Sequence, residues 1–277
     1  MEDRFNILIA GLGLMGGSLA KALRGFKNAK IFGFDTSCEV INSALSDGVI
    51  DEGDTKAEKF LLRADLVIVC LYPDLAIRFI NDNKFKKGAV VTDICGVKQY
   101  VLENITNPDI VFIGGHPMAG REKTGYSASI PDLFTKASYI LTPTEKTPDY
   151  AISLMREVAE YIGCRQITIA TPENHDAMIA YTSQLMHVVA VALCDNELLS
   201  SSVGYSAGSL RDCTRVADLN AEMWSELFME NKKELTERIN EFEKSMDTIK
   251  KHLAANDTSG LCEFLKSAAK RKRDFLS

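Results

Sequence analysis

No apolar run in this sequence approaches the ~20 residues that a membrane-spanning helix needs, no two cysteines form a Cys-x-x-Cys pair, and basic residues are not in excess. The first absence argues against a membrane protein. The second, with an odd cysteine count, argues against a disulfide framework or a thiolate metal site. The third, 32 basic against 38 acidic residues and a net charge of −6, gives no electrostatic footprint for nucleic acid or an anionic membrane. The four histidines (His116, His175, His187 and His252) are not spaced as a metal cluster, so no metal is expected. A secretory leader is not expected either. Ile7 to Met15 is apolar, but Glu2 and Asp3 outweigh Arg4 before it and glycines interrupt it. These readings, with cysteines lying in apolar runs such as Leu66–Cys70, point to a cytoplasmic protein with mostly buried, reduced thiols.

What is present is an ordinary globular composition, 46% hydrophobic and 25% charged over 277 residues, enough for about two domains. The first part alternates short runs rich in Val, Ile and Phe with amphipathic stretches. The runs are Phe5–Ala10, Lys30–Phe34, Leu66–Cys70, Ala89–Asp93 and Ile110–Gly114, then Ser138–Pro143 and Gln166–Ala170. Helix-like stretches begin near Leu14, after Pro73 and near Tyr150. Such alternation predicts a mostly parallel sheet covered on both faces. After Thr171-Pro172 the texture changes. Met178, Ile179, Thr182, Leu185, Met186, Val189 and Leu193 recur at three- and four-residue steps, and Leu235, Ile239, Phe242, Met246, Ile249 and Leu253 repeat the pattern. The expected organisation is an α/β domain over 1–170 and an all-helical domain over 171–277. A small helical domain with long apolar stripes commonly pairs with its copy.

Gly11-Leu12-Gly13-Leu14-Met15-Gly16 joins the first strand to the first helix. In a G-x-G-x-x-G loop the first glycine makes the tight turn, the second lets backbone approach a pyrophosphate, and the third lets helix pack on strand. The helix N-terminus adds unpaired N–H groups. Asp35 ends the second run about twenty residues on, where a carboxylate accepts bonds from a ribose and repels a 2′-phosphate. The first domain is therefore expected to be Rossmann-type and to bind NAD in preference to NADP. Leu71 and Pro73, after the Leu66–Cys70 run, complete the expected cofactor contacts.

His116, in Gly114–Gly120, is expected just past the end of a strand, where open α/β sheets bind ligands. A neutral imidazole there can take a proton from a hydroxyl as hydride leaves the same carbon, although a lone histidine is as often structural. Asp212 and Arg215 lie three apart in the helical part. That spacing fits a surface ion pair, or a guanidinium held for a substrate carboxylate.

GLGLMGGSLA (Gly11–Ala20), TDICGVK (Thr92–Lys98), GGHPMAGREKTG (Gly114–Gly125), HDAMIAYTSQLMH (His175–His187) and RDCTRVA (Arg211–Ala217) occur in this order. The set resembles the prephenate and arogenate dehydrogenases of tyrosine biosynthesis, over nearly the whole chain. The resemblance implies that His116 bonds the ring hydroxyl and acts as base. It implies that Arg215 holds a substrate carboxylate and Asp212 is its gating partner. His187 matches a second active-site histidine and Glu122 an acid near the pocket. Trp224, in Met223-Trp224-x-x-x-Phe228, lies near the site or serves as a core residue between helices. The same resemblance implies NAD, prephenate or arogenate as substrate, no metal, and a homodimer with interlocked helical domains.

Two positions depart from the family pattern. Many members read D-x-G-S-V-K where this chain has Asp93 to Lys98, so Gly96 replaces a serine that bonds the catalytic histidine. A water or Cys95 is the expected substitute. Gln184 stands where many members have histidine. The expected activity is NAD-dependent oxidative decarboxylation of prephenate. Arogenate dehydrogenation and a non-catalytic NAD-binding sensor are the alternatives.

Overall fold

The computed structural model describes residues 4–121 and 123–276. Eight strands form one sheet: β1 (Asn6–Ala10), β2 (Lys30–Phe34), β3 (Glu52–Asp54), β4 (Leu66–Val69), β5 (Val90–Asp93), β6 (Val111–Pro117), β7 (Ser138–Thr142) and β8 (Gln166–Ile169). Their order is β3-β2-β1-β4-β5-β6-β7-β8. Every pairing is parallel except β6 with β7. The first six strands follow the doubly wound 3-2-1-4-5-6 order of dinucleotide-binding sheets. Short β3 was not anticipated: Glu52-Gly53-Asp54 has no apolar alternation, and its backbone pairing with β2 alone makes it a strand.

The helices are α1 (Leu14–Ala22), α2 (Cys38–Ser46), α3 (Glu58–Leu61), α4 (Pro73–Asp82), α5 (Gln99–Asn104) and α6 (Asp149–Tyr161) around the sheet. Beyond it come α7 (Pro172–Ile179), α8 (Leu185–Cys194), α9 (Leu198–Ser201), α10 (Gly208–Thr214), α11 (Ala221–Glu230), α12 (Lys232–Ala254) and α13 (Thr258–Leu276). The sheet's continuous apolar runs reflect a core on each face. Ile7, Ile9, Ile31 and Ile68 pack with α1, α2 and α6 through Leu19, Leu23, Ile41, Met155 and Val158. Leu8, Phe32, Val67 and Val91 face the other way, toward Phe60, Ile77, Ile80 and Val101 of α3, α4 and α5. The thiols differ from expectation. All seven are free, but among them only Cys95 is buried, while Cys38, Cys213 and Cys262 lie on exposed helix faces.

His116 is inside a strand rather than beyond one. β6 pairs with β5 only as far as Ile113. It then continues to Pro117 because β7 runs antiparallel beside it, opposing Ile140 to His116.

α7 and α8 are one helix, joined by a π-helical turn at Ala180–Gln184. The whole helix, Pro172–Cys194, has 23 residues, and an 18-residue stretch within it has a mean hydropathy of 1.6, long and apolar enough by length and composition to cross a bilayer. Scanning for unbroken apolar runs missed it because His175, Asp176 and Gln184 interrupt the pattern. All three are buried and hydrogen-bonded within the protein.

Asp176 ties this helix to the sheet. α5 has no side-chain cap of its own. Instead the Asp176 carboxylate accepts the N–H groups of Lys98 at 2.8 Å and Gln99 at 2.9 Å, capping α5 from the helical part. The Lys98 side chain turns the other way. Its Nζ lies 2.5 Å from Asp93 Oδ2 and 2.9 Å from the Cys95 carbonyl. Asp93 also accepts from the backbone of Cys95 and Gly115. Lys98 and Asp93 are fully buried. Removing one partner of such a pair strands the other charge, at a cost of about 3–5 kcal/mol. Lys98→Met is therefore expected to lower the unfolding free energy by about that amount, measured by urea denaturation. A loss of only a few tenths would show that the pair is not a structural requirement.

Candidate active site

The glycine loop has the geometry of a phosphate cradle. Gly11 has φ +92°, and a Cβ there would stand 2.6 Å from the Cys70 carbonyl oxygen. A Cβ on Gly16 would meet the Gly11 carbonyl oxygen at 1.8 Å. Both positions require glycine. By contrast, a Cβ on Gly13 would meet nothing within 4 Å, so this side of the turn opens toward a ligand. α1 begins next to it with Gly13 as N-cap and no capping side chain, which leaves first-turn amides at Leu14 and Met15 for an anion. Asp35 Oδ2 accepts the Leu12 N–H and Oδ1 the Ser37 N–H, both at 2.9 Å. These bonds hold the carboxylate beside the loop and leave lone pairs for ribose hydroxyls. Leu71 flanks Gly11, and Pro73 is buried as the first residue of α4. The residues present fit a dinucleotide.

On the same sheet His116 is partly exposed, and its Nδ1 lies 2.8 Å from Nε2 of His175. His175 Nδ1 is in turn 2.7 Å from Asp176 Oδ1. Two histidines and a carboxylate thus form a chain from the helical part to the sheet. Burial pushes the His116 pKa well below the ordinary value, and the nearby His175 and Lys98 push it further. Burial also lowers that of His175, with Asp176 opposing. Both rings are therefore neutral at pH 7, as a proton acceptor needs.

Cys95, one of the expected substitutes for the missing serine, does not hold His116. The Cys95 thiol donates instead to the Leu71 carbonyl at 3.6 Å, and His175 occupies His116 Nδ1. Sequence reasoning passed over His175 and Asp176 although both stood in a quoted motif. Adjacent titratable residues in the first turns of an otherwise apolar helix were the available signal.

A second cluster lies in the helical part. The His187 ring stacks on Trp224 with centroids 3.7 Å apart, and its Nδ1 donates to the Ser183 carbonyl at 2.9 Å. Burial lowers the His187 pKa, and the charge of Arg215 lowers it further. The 3-10 turn that begins at Arg215 packs on α8. Asp212 is exposed on α10 and pairs with no basic side chain among the described residues. Glu122 lies outside the described residues.

Gln184 belongs to neither cluster as a reactive group. It is buried, its Nε2 donates to the Leu227 carbonyl, and its Oε1 accepts from Asn231. Asn231 Nδ2 also donates to the Asp176 carbonyl at 3.0 Å. The amide clamps the π turn to the junction of α11 and α12. Such turns shift helix register and recur at functional sites.

A glycine-loop sheet with a polar chain reaching His116 defines the class of nucleotide-binding dehydrogenases with a helical second domain. The comparisons narrow this. A family model described as the prephenate dehydrogenase nucleotide-binding domain matches residues 19–168, and one for the prephenate dehydrogenase dimerization domain matches 171–267. Prephenate dehydrogenase of Bacillus subtilis is 31% identical over 97% of this chain and 75% of its own length. The solved prephenate dehydrogenase of A. aeolicus, in complex with hydroxyphenyl propionate and NAD+, superposes with TM-score 0.85 at 36% identity over 98% of each chain. Arogenate dehydrogenase of Synechocystis has TM-score 0.86 at 26% identity, covering 98% of this chain and all (100%) of that one. This chain belongs to the prephenate dehydrogenase family.

A Cβ added at Gly96 would meet only Leu227, at 3.5 and 3.8 Å, an ordinary contact. Gly96→Ser should therefore fold normally, changing stability by no more than about 0.5 kcal/mol in thermal or urea unfolding. A large loss would mean that the glycine is structurally required.

Proposed function

We propose that this chain catalyses the NAD-dependent oxidative decarboxylation of prephenate to 4-hydroxyphenylpyruvate, in the cytoplasm, as a homodimer through its helical domain. The observation that carries the reading is the partly exposed imidazole of His116, kept neutral by burial and backed by a buried histidine and carboxylate. Membership of a family whose second half is described as a dimerization domain supports the homodimer.

NAD, when bound, supplies the hydride acceptor. The loop from Gly11 to Gly16 and the α1 N-terminus hold its pyrophosphate, Asp35 its adenosine ribose, and Leu71 and Pro73 line the adjoining wall. His116 Nε2 accepts the proton of the substrate's ring hydroxyl as that carbon is oxidised. The ketone formed is conjugated with the ring, and loss of CO₂ yields the aromatic phenol. The ring is its own electron sink, so the reaction requires no metal. Arg215 anchors a substrate carboxylate. His187, braced on Trp224, forms another wall. Asp212 is the gating partner of Arg215, and Glu122 is an acid near the pocket.

The test is NADH formation by the purified chain with prephenate and arogenate side by side. Turnover of prephenate is the expected outcome. Turnover of arogenate alone would move the same chemistry to the substrate with an amine, and no turnover of either with NAD bound would overturn the assignment. His116→Asn should lower kcat about 100- to 10,000-fold while NAD binding is retained. An unchanged kcat would remove this residue from the chemistry. Asp35→Ser should shift the NAD-to-NADP preference by roughly tenfold toward NADP, read from the two KM values, through loss of a charge-assisted ribose bond. An unaltered ratio would place the ribose elsewhere.

A further inference from the structure

We infer that His175 is a positioning residue that fixes the tautomer of His116, and that it performs this role through Asp176. The inference rests on the reading of His116 as base. Its starting point is the carboxylate. Asp176 Oδ1 already accepts the Lys98 N–H at 2.8 Å, and Oδ2 the Gln99 N–H at 2.9 Å. Both of its oxygens thus accept from backbone donors, and a carboxylate so engaged is the acceptor in its remaining contacts.

The contact of 2.7 Å from His175 Nδ1 to Asp176 Oδ1 therefore has its proton on the imidazole. His175 is neutral, because burial lowers its pKa. A neutral ring protonated at Nδ1 has a bare Nε2. That bare Nε2 lies 2.8 Å from His116 Nδ1, so His116 must donate there. His116 is neutral as well, so its own Nε2 carries the lone pair. Each step leaves one proton per ring. The chain ends in a base whose free nitrogen is Nε2 and whose ring plane is set by a buried partner.

This arrangement answers the absence of the family's serine. Gly96 has no hydroxyl to orient the ring, and Cys95 is turned to Leu71. Orientation comes from the helical part instead. His175 is almost fully buried at 1% exposure, so water does not compete for its Nε2. When His116 gains the substrate proton, the imidazolium keeps its Nδ1–H bond to His175, and the Asp176 anion lies on the far side of that ring. No further proton transfer is required.

The experiment reads the tautomer directly and apart from activity. Long-range proton–nitrogen NMR of the full-length protein, labelled at histidine nitrogens and assigned with His116→Asn and His175→Gln, should show His116 protonated at Nδ1 and bare at Nε2. The opposite tautomer in the wild-type protein would overturn the proposal. Loss of the acceptor in His175→Phe should lower kcat for prephenate roughly 10- to 100-fold, with KM and NAD affinity unchanged. His175→Gln, whose side-chain oxygen can replace Nε2 as acceptor, should recover most of that loss. A wild-type kcat in His175→Phe would also overturn it, and so would a change confined to KM and NAD affinity, which marks a purely structural role. If the wild-type protein turns over neither prephenate nor arogenate, the functional reading fails, while the spectrum still decides the tautomer.

Discussion

The segment from Asp93 to Lys98 is held between two carboxylates, and the rest of the site depends on that hold. Asp93, at the end of β5, binds the Lys98 ammonium and the amides of Cys95 and Gly115. Asp176, from α7, binds the amides of Lys98 and Gln99. Gly115 precedes His116 and Asp176 follows His175. A single buried lysine therefore connects the strand that bears one histidine to the helix that bears the other. Burying these charges is costly unless every donor and acceptor is matched. Here Asp93 and Asp176 have three donors each, which fixes the relative placement of both parts of the molecule at the histidine pair.

Most of the sheet was legible because burial on both faces writes continuous apolar runs, and seven of the eight strands came from them. What escaped had no apolar signature. β3 exists through backbone pairing alone, and the extension of β6 through His116 depends on β7, distant in sequence and antiparallel. The long helix was legible from its stripe between Met178 and Leu193, but the function of its polar residues was not. In the fold, His175, Asp176 and Gln184 are the contacts by which the helix docks, satisfied by groups from α5, β6, α11 and the α11–α12 junction.

The site itself was half legible. Gly11, Gly13, Gly16 and Asp35 were recognisable because the chemistry of a phosphate turn demands particular residues at particular spacings. His116 was recognisable from its motif. His175 and Asp176 were not singled out, because their role arises from tertiary contact across 59 residues to His116. Gln184, which stands where many members have histidine, is a buried amide joining the π turn to Asn231 and Leu227, a role that only tertiary contacts reveal.

His116 and Arg215 have very different mechanical surroundings. His116 is carried in mid-strand, bonded to β7 and backed by a buried ring. α10, which leads into Arg215, has no buried residue. Under the proposed function, the base belongs to the hydrogen-bonded frame of the sheet, and the carboxylate anchor follows a helix that has no buried residue within the single chain.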